Sequence, residues 1–130
     1  SLAMTKVYKP LLAPLDLTYP QYLVMLVLWE QDGQTVSQLG DRLGLDSGTL
    51  TPLIKRLESS GRVQRLRATS DERRVHVQLT AAGRALRERA TALPPQLLQA
   101  SGCGVAELQE FTRRLHALRQ QLQAATAAAA

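Results

Sequence analysis

The residues best equipped for chemistry in this 130-residue chain are cations. Seven stand between positions 55 and 74 (Lys55, Arg56, Arg62, Arg65, Arg67, Arg73, Arg74), against three anions (Glu58, Asp71, Glu72). That local net of +4 is most of the whole-chain excess of +5. Clustered ammonium and guanidinium groups bind phosphate oxygens, by charge and, for arginine, by paired N–H donors. Just upstream lie three hydroxyls, Ser47, Thr49 and Thr51, which can meet a base edge or a phosphate. Redox chemistry is limited to one thiol, Cys103, with no basic neighbour in sequence to favour its thiolate. One Cys and two His cannot build a Cys/His metal cage, and neither His76 nor His116 has a catalytic partner set around it. A solvated charged face is the ordinary reading of a basic run, so the elements that carry these cations decide what they do.

Those elements read as helix-rich ends flanking a compact middle with strand signals. Residues 1–15 carry Leu2, Met4, Val7, Leu11 and Leu12 at roughly the helical period, with Pro10 and Pro14 expected to bend or end the segment. Thr18 stands three residues before Gln21, a capping box that opens a helix over 19–31. Its unbroken apolar run, 22–29, predicts a strut buried all round, with Trp29 as a packing residue at its end. Residues 31–34 read as the turn that follows. A second box, Thr35 with Gln38, opens a short helix closed by Gly44, and Asp46 caps the next helix, 47–59. Two short helices joined through a glycine turn make a helix-turn-helix.

The period then changes. Val75, Val77 and Leu79 alternate with His76, Gln78 and Thr80, a half-buried strand with His76 expected to face outward. Residues 63–67 form a weaker strand candidate, and 68–73 a polar hairpin tip. From Ala81 the helical period returns until Pro94-Pro95 breaks it, and a short turn leads to Gly102-Cys103-Gly104. Leu108, Phe111, Leu115, Leu118 and Leu122 then repeat by three and four, a heptad seam suited to a facing helix. The alanine-rich residues 124–130 are expected to fray. The fold class is therefore mainly α with a small β-hairpin wing. It is a winged helix-turn-helix (32–83) between N-terminal helices (1–31, dimer base and strut) and C-terminal dimerisation helices (84–130).

Placed on a helix-turn-helix and its hairpin, the cations point to double-stranded DNA. Ser47, Thr49 and Thr51 lie in the half of a recognition helix that enters the major groove, while Lys55 and Arg56 are a turn later, placed for phosphate. Arg73 and Arg74 lie at the wing, Arg73 suited to a narrow minor groove, and Asp71 either orients Arg73 or simply turns the hairpin. Pro52 is expected to kink the helix. At only 4% aromatic the core must be aliphatic, and the longest apolar run, eight residues, is far short of the roughly eighteen of a membrane span. A cytoplasmic location is the default expectation.

At these residues the sequence resembles the multiple-antibiotic-resistance regulator (MarR) family of dimeric winged-helix repressors. The carrying stretch is 35–83, with Asp71-Glu72-Arg73-Arg74 at the wing and Leu79-Thr80 then Gly83 at its close. Within it, Leu2-Ala3-Met4 with Tyr8, Leu17-Thr18-Tyr19-Pro20-Gln21-Tyr22 and Thr49-Leu50-Thr51-Pro52-Leu53 resemble the organic hydroperoxide resistance regulator branch. The resemblance implies a homodimer on a pseudo-palindromic operator, no cofactor, and an organic hydroperoxide as inducer. It also implies a reactive cysteine whose sulfur two tyrosines hydrogen-bond, and Tyr8 and Tyr19 fall on those positions. The matching cysteine position falls before Ser1, and retention of both tyrosines leads us to expect a cysteine there. Some members trap the oxidised sensor with a second cysteine. Cys103 stands in the matching region as either that resolving thiol or an incidental turn residue, with Gln99 as the competing position. Two other readings stay open: a repressor answering a small phenolic ligand, and a winged-helix module that binds protein rather than an operator.

Overall fold

Side-chain caps set where the helices of this chain begin. The computed structural model describes residues 2–67 and 74–129, and divides into two compact units, one ending at Leu93 and one starting at Pro94. In the first unit, α1 (Leu2–Leu12) runs through Pro10 and tightens into a 3-10 turn (Ala13–Leu15), which ends on Asp16 in the left-handed region at φ 53°. Thr18 Oγ1 then accepts from the Gln21 amide and Gln21 Oε1 from the Thr18 amide, closing the box that opens α2 (Tyr19–Glu30). The same reciprocal pair, Thr35 with Gln38, opens α3 (Val36–Leu43). Asp46 caps α4 (Ser47–Ser59) through the Thr49 amide at 2.7 Å. Strands β2 (Val63–Arg67) and β3 (Val75–Leu79) form the wing, and α5 (Ala81–Ala90) follows behind a Thr80 cap. The tip expected at 68–73 lies outside the described residues.

The core is aliphatic, centred on Leu12, Met25, Leu28, Leu39, Leu50, Ile54, Leu57 and Val77. The strut is not buried all round: Leu26 is 40% exposed and Leu23 half-buried. An unbroken apolar run identifies a core helix without saying which positions the neighbours reach. The expected turn at 31–34 also differs. Gln34 and Thr35 form a third strand, β1 (Gln34–Thr35), antiparallel to β3 with Gln34 opposite Val77, giving the order β1-β3-β2. Two residues are too few for any periodicity to show, and side chains hold this strand in place. Gln34, buried, donates Nε2 to the Gln31 carbonyl, just past the end of α2, and to the Val27 carbonyl, which also accepts the Gln31 amide. Asp32 Oδ1 accepts from the amides of Gly33 and Leu79. His76, expected to face outward, is half-buried with Nδ1 3.2 Å from the Gly33 carbonyl, because β1 covers that side of β3.

Two glycines fix how the lobe closes. A Cβ on Gly40 would come within 2.6 Å of the Leu45 carbonyl, so the turn between α3 and α4 can fold this tightly only on glycine. Gly83 is more constrained. A Cβ there would lie 2.0 Å from the Arg62 carbonyl, its amide caps onto Thr80 Oγ1, and its own carbonyl accepts from Trp29 Nε1 at 2.9 Å. Gly83 is where α2, α5 and the base of the wing meet.

The helix from Ala81 ends at Ala90, ahead of the Pro94-Pro95 pair as expected. The residues that follow form a helix, α6 (Leu93–Ser101), with both prolines in its first turn, where a short turn was expected. The first-turn amides of a helix have no partner to lose, so proline is tolerated there. After Gly102, at φ 68°, and Cys103, α7 (Val105–Ala129) runs for 25 residues, including the alanines expected to fray up to Ala129. No residue of α7 is buried, and Phe111, Leu115, Leu118 and Leu122 are 54–65% exposed.

Candidate nucleic-acid interface and tyrosine cluster

At about 100° per residue, α4 turns Leu50, Leu53, Ile54 and Leu57 inward and leaves Gly48, Pro52, Lys55 and Ser59 along its outer line. Ser47 and Thr51 flank that line on one side, Thr49 and Arg56 on the other. The glycine and proline on the outer line add little bulk, so the helix backbone can approach a partner closely. Ser47 and Thr51 join Arg74 in lining a groove of about 780 Å³ between α3, α4 and the wing. Thr35, Ser37 and Gln38, at the start of α3, line it too. Sequence reasoning missed these three as site residues, although the capping box that fixed the helix start marked the place. Thr49 lies outside this groove, and Asp46 takes its hydroxyl as well as its amide. These bonds, the amide's first, hold the Asp46 carboxyl below the usual carboxylate range.

The basic cluster divides by role. Arg65 gives its amide to Glu58 Oε2 at 2.9 Å and its guanidinium to Glu58 Oε1 at 3.0 Å, pinning β2 to α4. Arg62 turns inward and donates Nη2 to the Leu15 carbonyl at 2.9 Å. These two arginines hold the lobe together; Lys55 and Arg56 are exposed, as is Arg74. Asp71 and Arg73 lie outside the described residues.

The Arg65 amide, then the Arg65 side chain, holds the Glu58 carboxyl below its ordinary value. The contribution is therefore complete above the unfolded glutamate value of about 4.3 and is lost as pH falls through the lower folded value. Both side chains are a third exposed, so screening keeps the effect small. Glu58→Gln is expected to cost about 0.5 kcal/mol at pH 7. In urea unfolding the gap between variant and wild type should close towards pH 3; an equal gap at both pH values would refute this role.

The second constellation is aromatic. Tyr8 of α1 stacks on Tyr19 of α2, ring centroids 4.8 Å apart at 24°, and lies 5.4 Å from Tyr22. Tyr22 in turn meets Trp29 edge-on at 6.3 Å. The chain's three tyrosines and its one tryptophan thus form a single cluster. The sequence singled out Tyr8 and Tyr19. Tyr22 falls in the strut and in the stretch that carries the branch resemblance but has no site role in the sequence reading, although three positions after Tyr19 it shares that helix face. Burial, then the neighbouring phenols Tyr22 and Tyr19, pushes the Tyr8 hydroxyl up to about 12. Burial raises Tyr19 as well, and burial with Tyr19 raises Tyr22. All three remain protonated donors at neutral pH. Beside them a cleft of about 650 Å³ is lined by Thr5, Lys9, Leu17, Tyr19, Arg56 and Ser60, among others. Cys103 is half-buried in the other unit, its amide bonded to Ser101 Oγ, and Gln99 is exposed on α6.

Among the described residues no single helix is long and apolar enough to cross a membrane, and no group of His, Cys, Asp or Glu is arranged to hold a metal ion. The sequence model for the transcriptional regulators SarA/Rot matches residues 6–89. The organic hydroperoxide resistance transcriptional regulator of Bacillus subtilis is 45% identical over 119 residues, 92% of this chain and 81% of that one. The chain belongs to the MarR/SarA family of winged-helix transcriptional regulators. Another member, the HTH-type transcriptional regulator TtmR of Methylorubrum extorquens, is 48% identical over 122 residues, 94% of this chain; the chain spans 63% of TtmR's length. Among solved structures of the family, AbfR of Staphylococcus epidermidis superposes with a TM-score of 0.73 at 37% identity, covering 93% of this chain and 82% of that one. A cysteine-to-serine mutant of MarR from E. coli, complexed with operator DNA, gives 0.75 at 28% identity over 88% and 84%. These two solved structures match 88–93% of the chain.

Proposed function

We propose that the chain is a cytoplasmic, homodimeric repressor, without enzymatic activity, that leaves its operator when an organic hydroperoxide oxidises a cysteine held near the tyrosine cluster. The observation that carries the DNA reading is the outer line of α4, where Lys55 stands exposed beside a groove lined by Ser47, Thr51 and Arg74. Ser47, Thr49 and Thr51 enter the major groove; Lys55, Arg56 and Arg74 take phosphates. Arg73, with Asp71 orienting it, extends the contact to the minor groove. The relatives support this: MarR from E. coli has been solved with operator DNA, and AbfR in its reduced form bound to DNA.

The peroxide reading rests on Tyr8 and Tyr19, stacked and kept protonated, which suits two O–H donors facing a thiolate. The thiolate attacks one peroxide oxygen, the O–O bond breaks, the alkoxide leaves with a proton as alcohol, and the sulfur becomes a sulfenic acid. The cysteine that does this has its matching position before Ser1, and Cys103 is the candidate resolving thiol. The full reading frame treated with cumene hydroperoxide should release DNA, and a thiol reductant should restore binding. Release that survives removal of every cysteine would overturn the reading. A second reading has its own observation, the 650 Å³ cleft with Lys9 and Arg56 beside Tyr19, which suits a small phenolic anion. DNA release by such a compound, with no response to peroxide, would favour it.

Lys55→Ala tests the interface itself. Losing one phosphate contact should lower the slope of log affinity against log salt by about 0.9 and weaken binding alike on all sequences. An unchanged slope in fluorescence-anisotropy titrations would remove Lys55 from the contact.

A further inference from the structure

The tyrosine cluster and the wing sit at opposite ends of the first unit's connections, and two arginines join them. The 3-10 turn Ala13–Leu15 lies between Tyr8 on α1 and Tyr19 on α2, and its Pro14 and Leu15 carbonyls each accept from an arginine side chain. Arg62 donates Nη2 to the Leu15 carbonyl at 2.9 Å, and Arg89, at the end of α5, donates Nη2 to the Pro14 carbonyl at 2.6 Å. Arg62 is also the lobe's backbone junction. Its amide bonds the Leu57 carbonyl at the end of α4, and its carbonyl accepts from the Thr80 amide where β3 ends. Gly83 packs against that same carbonyl. Any shift of α1 and α2 that moves the turn must therefore break these bonds or carry the base of the wing with it.

We infer that Arg62 and Arg89 form a clamp on the Pro14–Leu15 carbonyls that couples the state of the tyrosine cluster to the base of the wing and the end of the recognition helix. They are positioning residues, each donating to a backbone carbonyl of the chain itself. The inference takes its purpose from the regulator reading, since coupling matters only if the cluster is a sensor. The coupling itself is a property of the free chain. Arginine suits such a clamp because its planar fork holds direction as well as distance, and one bond on each of two adjacent carbonyls resists both sliding and rotation of the turn. Two elements are coupled when a change at one alters the equilibrium of the other, and a double-mutant cycle measures this independently of what either substitution costs alone.

The test uses the full chain without DNA. Tyr19→Ala removes the half-buried partner of the Tyr8 stack and perturbs the cluster. The readout is hydrogen exchange at the Thr80 and Arg65 amides, which report the base of the wing and its seat on α4. In the otherwise wild-type chain, Tyr19→Ala should speed both at least three-fold. In R62M/R89M the same substitution should change them by less than 1.5-fold, whatever the new baseline, and R62K/R89K, which keeps a donor at each site, should restore the response. If R62M/R89M does not fold, R89M alone, whose bond lies at the surface, should show a response reduced by about half. An equal Tyr19→Ala response with and without the clamp, or none in either, overturns the inference. Failure of the wild-type chain to bind DNA in the anisotropy titrations, with the exchange coupling intact, would remove the operator reading and leave the clamp standing.

Discussion

Gly83→Ala should lose about 3 kcal/mol of stability, the cost of forcing a methyl into a close-packed backbone junction. The added Cβ would lie 2.0 Å from the Arg62 carbonyl, and a carbonyl cannot swing aside as a flexible side chain can. Relief must come from moving α5 away from the wing, which stretches the Trp29 Nε1 bond to the Gly83 carbonyl and the Thr80 cap on its amide. Both bonds lie wholly or partly away from water, so their loss adds to the steric cost. Thermal unfolding should show a midpoint lower by roughly 10 °C or more for a unit of this size. Gly61→Ala serves as a control: nothing lies within 4 Å of that Cβ, so its cost is limited to the strained φ of 81°. If Gly83→Ala proved as mild as that control, the three-way junction would not be rigid.

Leu115→Asp combined with Leu118→Asp should convert a dimer to a monomer and lower affinity for a two-half-site operator by roughly 10²–10⁴-fold, the avidity lost when two linked heads become one. Both leucines lie on a helix with no buried residue, so neither substitution disturbs packing within the described chain. A 25-residue amphipathic helix that leaves Phe111, Leu115, Leu118 and Leu122 more than half exposed is set up to face another helix, and their three-four spacing supplies the register. Two carboxylates in that seam would be desolvated by pairing and would repel their symmetry mates. Sedimentation velocity and anisotropy on the same samples check both halves. A variant that stays dimeric would show that another surface makes the interface.

What could be read from residues alone followed how local the physics was. The helix starts at Thr18, Thr35 and Asp46 were legible because a cap and its partner lie within three residues of each other, and each proved to be the bond that was read. The strand at Val75 was legible because alternation needs only its own five residues. The strand at Gln34 was not, since its reasons are distant: Val77 across the sheet, and the Val27 carbonyl that its side chain reaches. Charge was legible as a cluster but not in its division of labour. Nothing near Arg62 in sequence says that it reaches Leu15, 47 residues away. The Ser47 and Thr51 flank of the groove followed from the helix-turn-helix pattern. The contribution of Ser37 needed the packing of α3 against α4, which sets where the groove opens.

The aromatic residues have a consequence for how this molecule can be watched. Apart from Phe111, every phenyl, phenol and indole ring in the chain belongs to the Tyr8–Tyr19–Tyr22–Trp29 group, and the indole is tied to the lobe through Gly83. Its near-ultraviolet absorption and emission therefore come from one place, with phenols close enough to pass excitation to the indole. Unlabelled protein carries its own optical gauge at the junction between α1, α2 and the base of the wing.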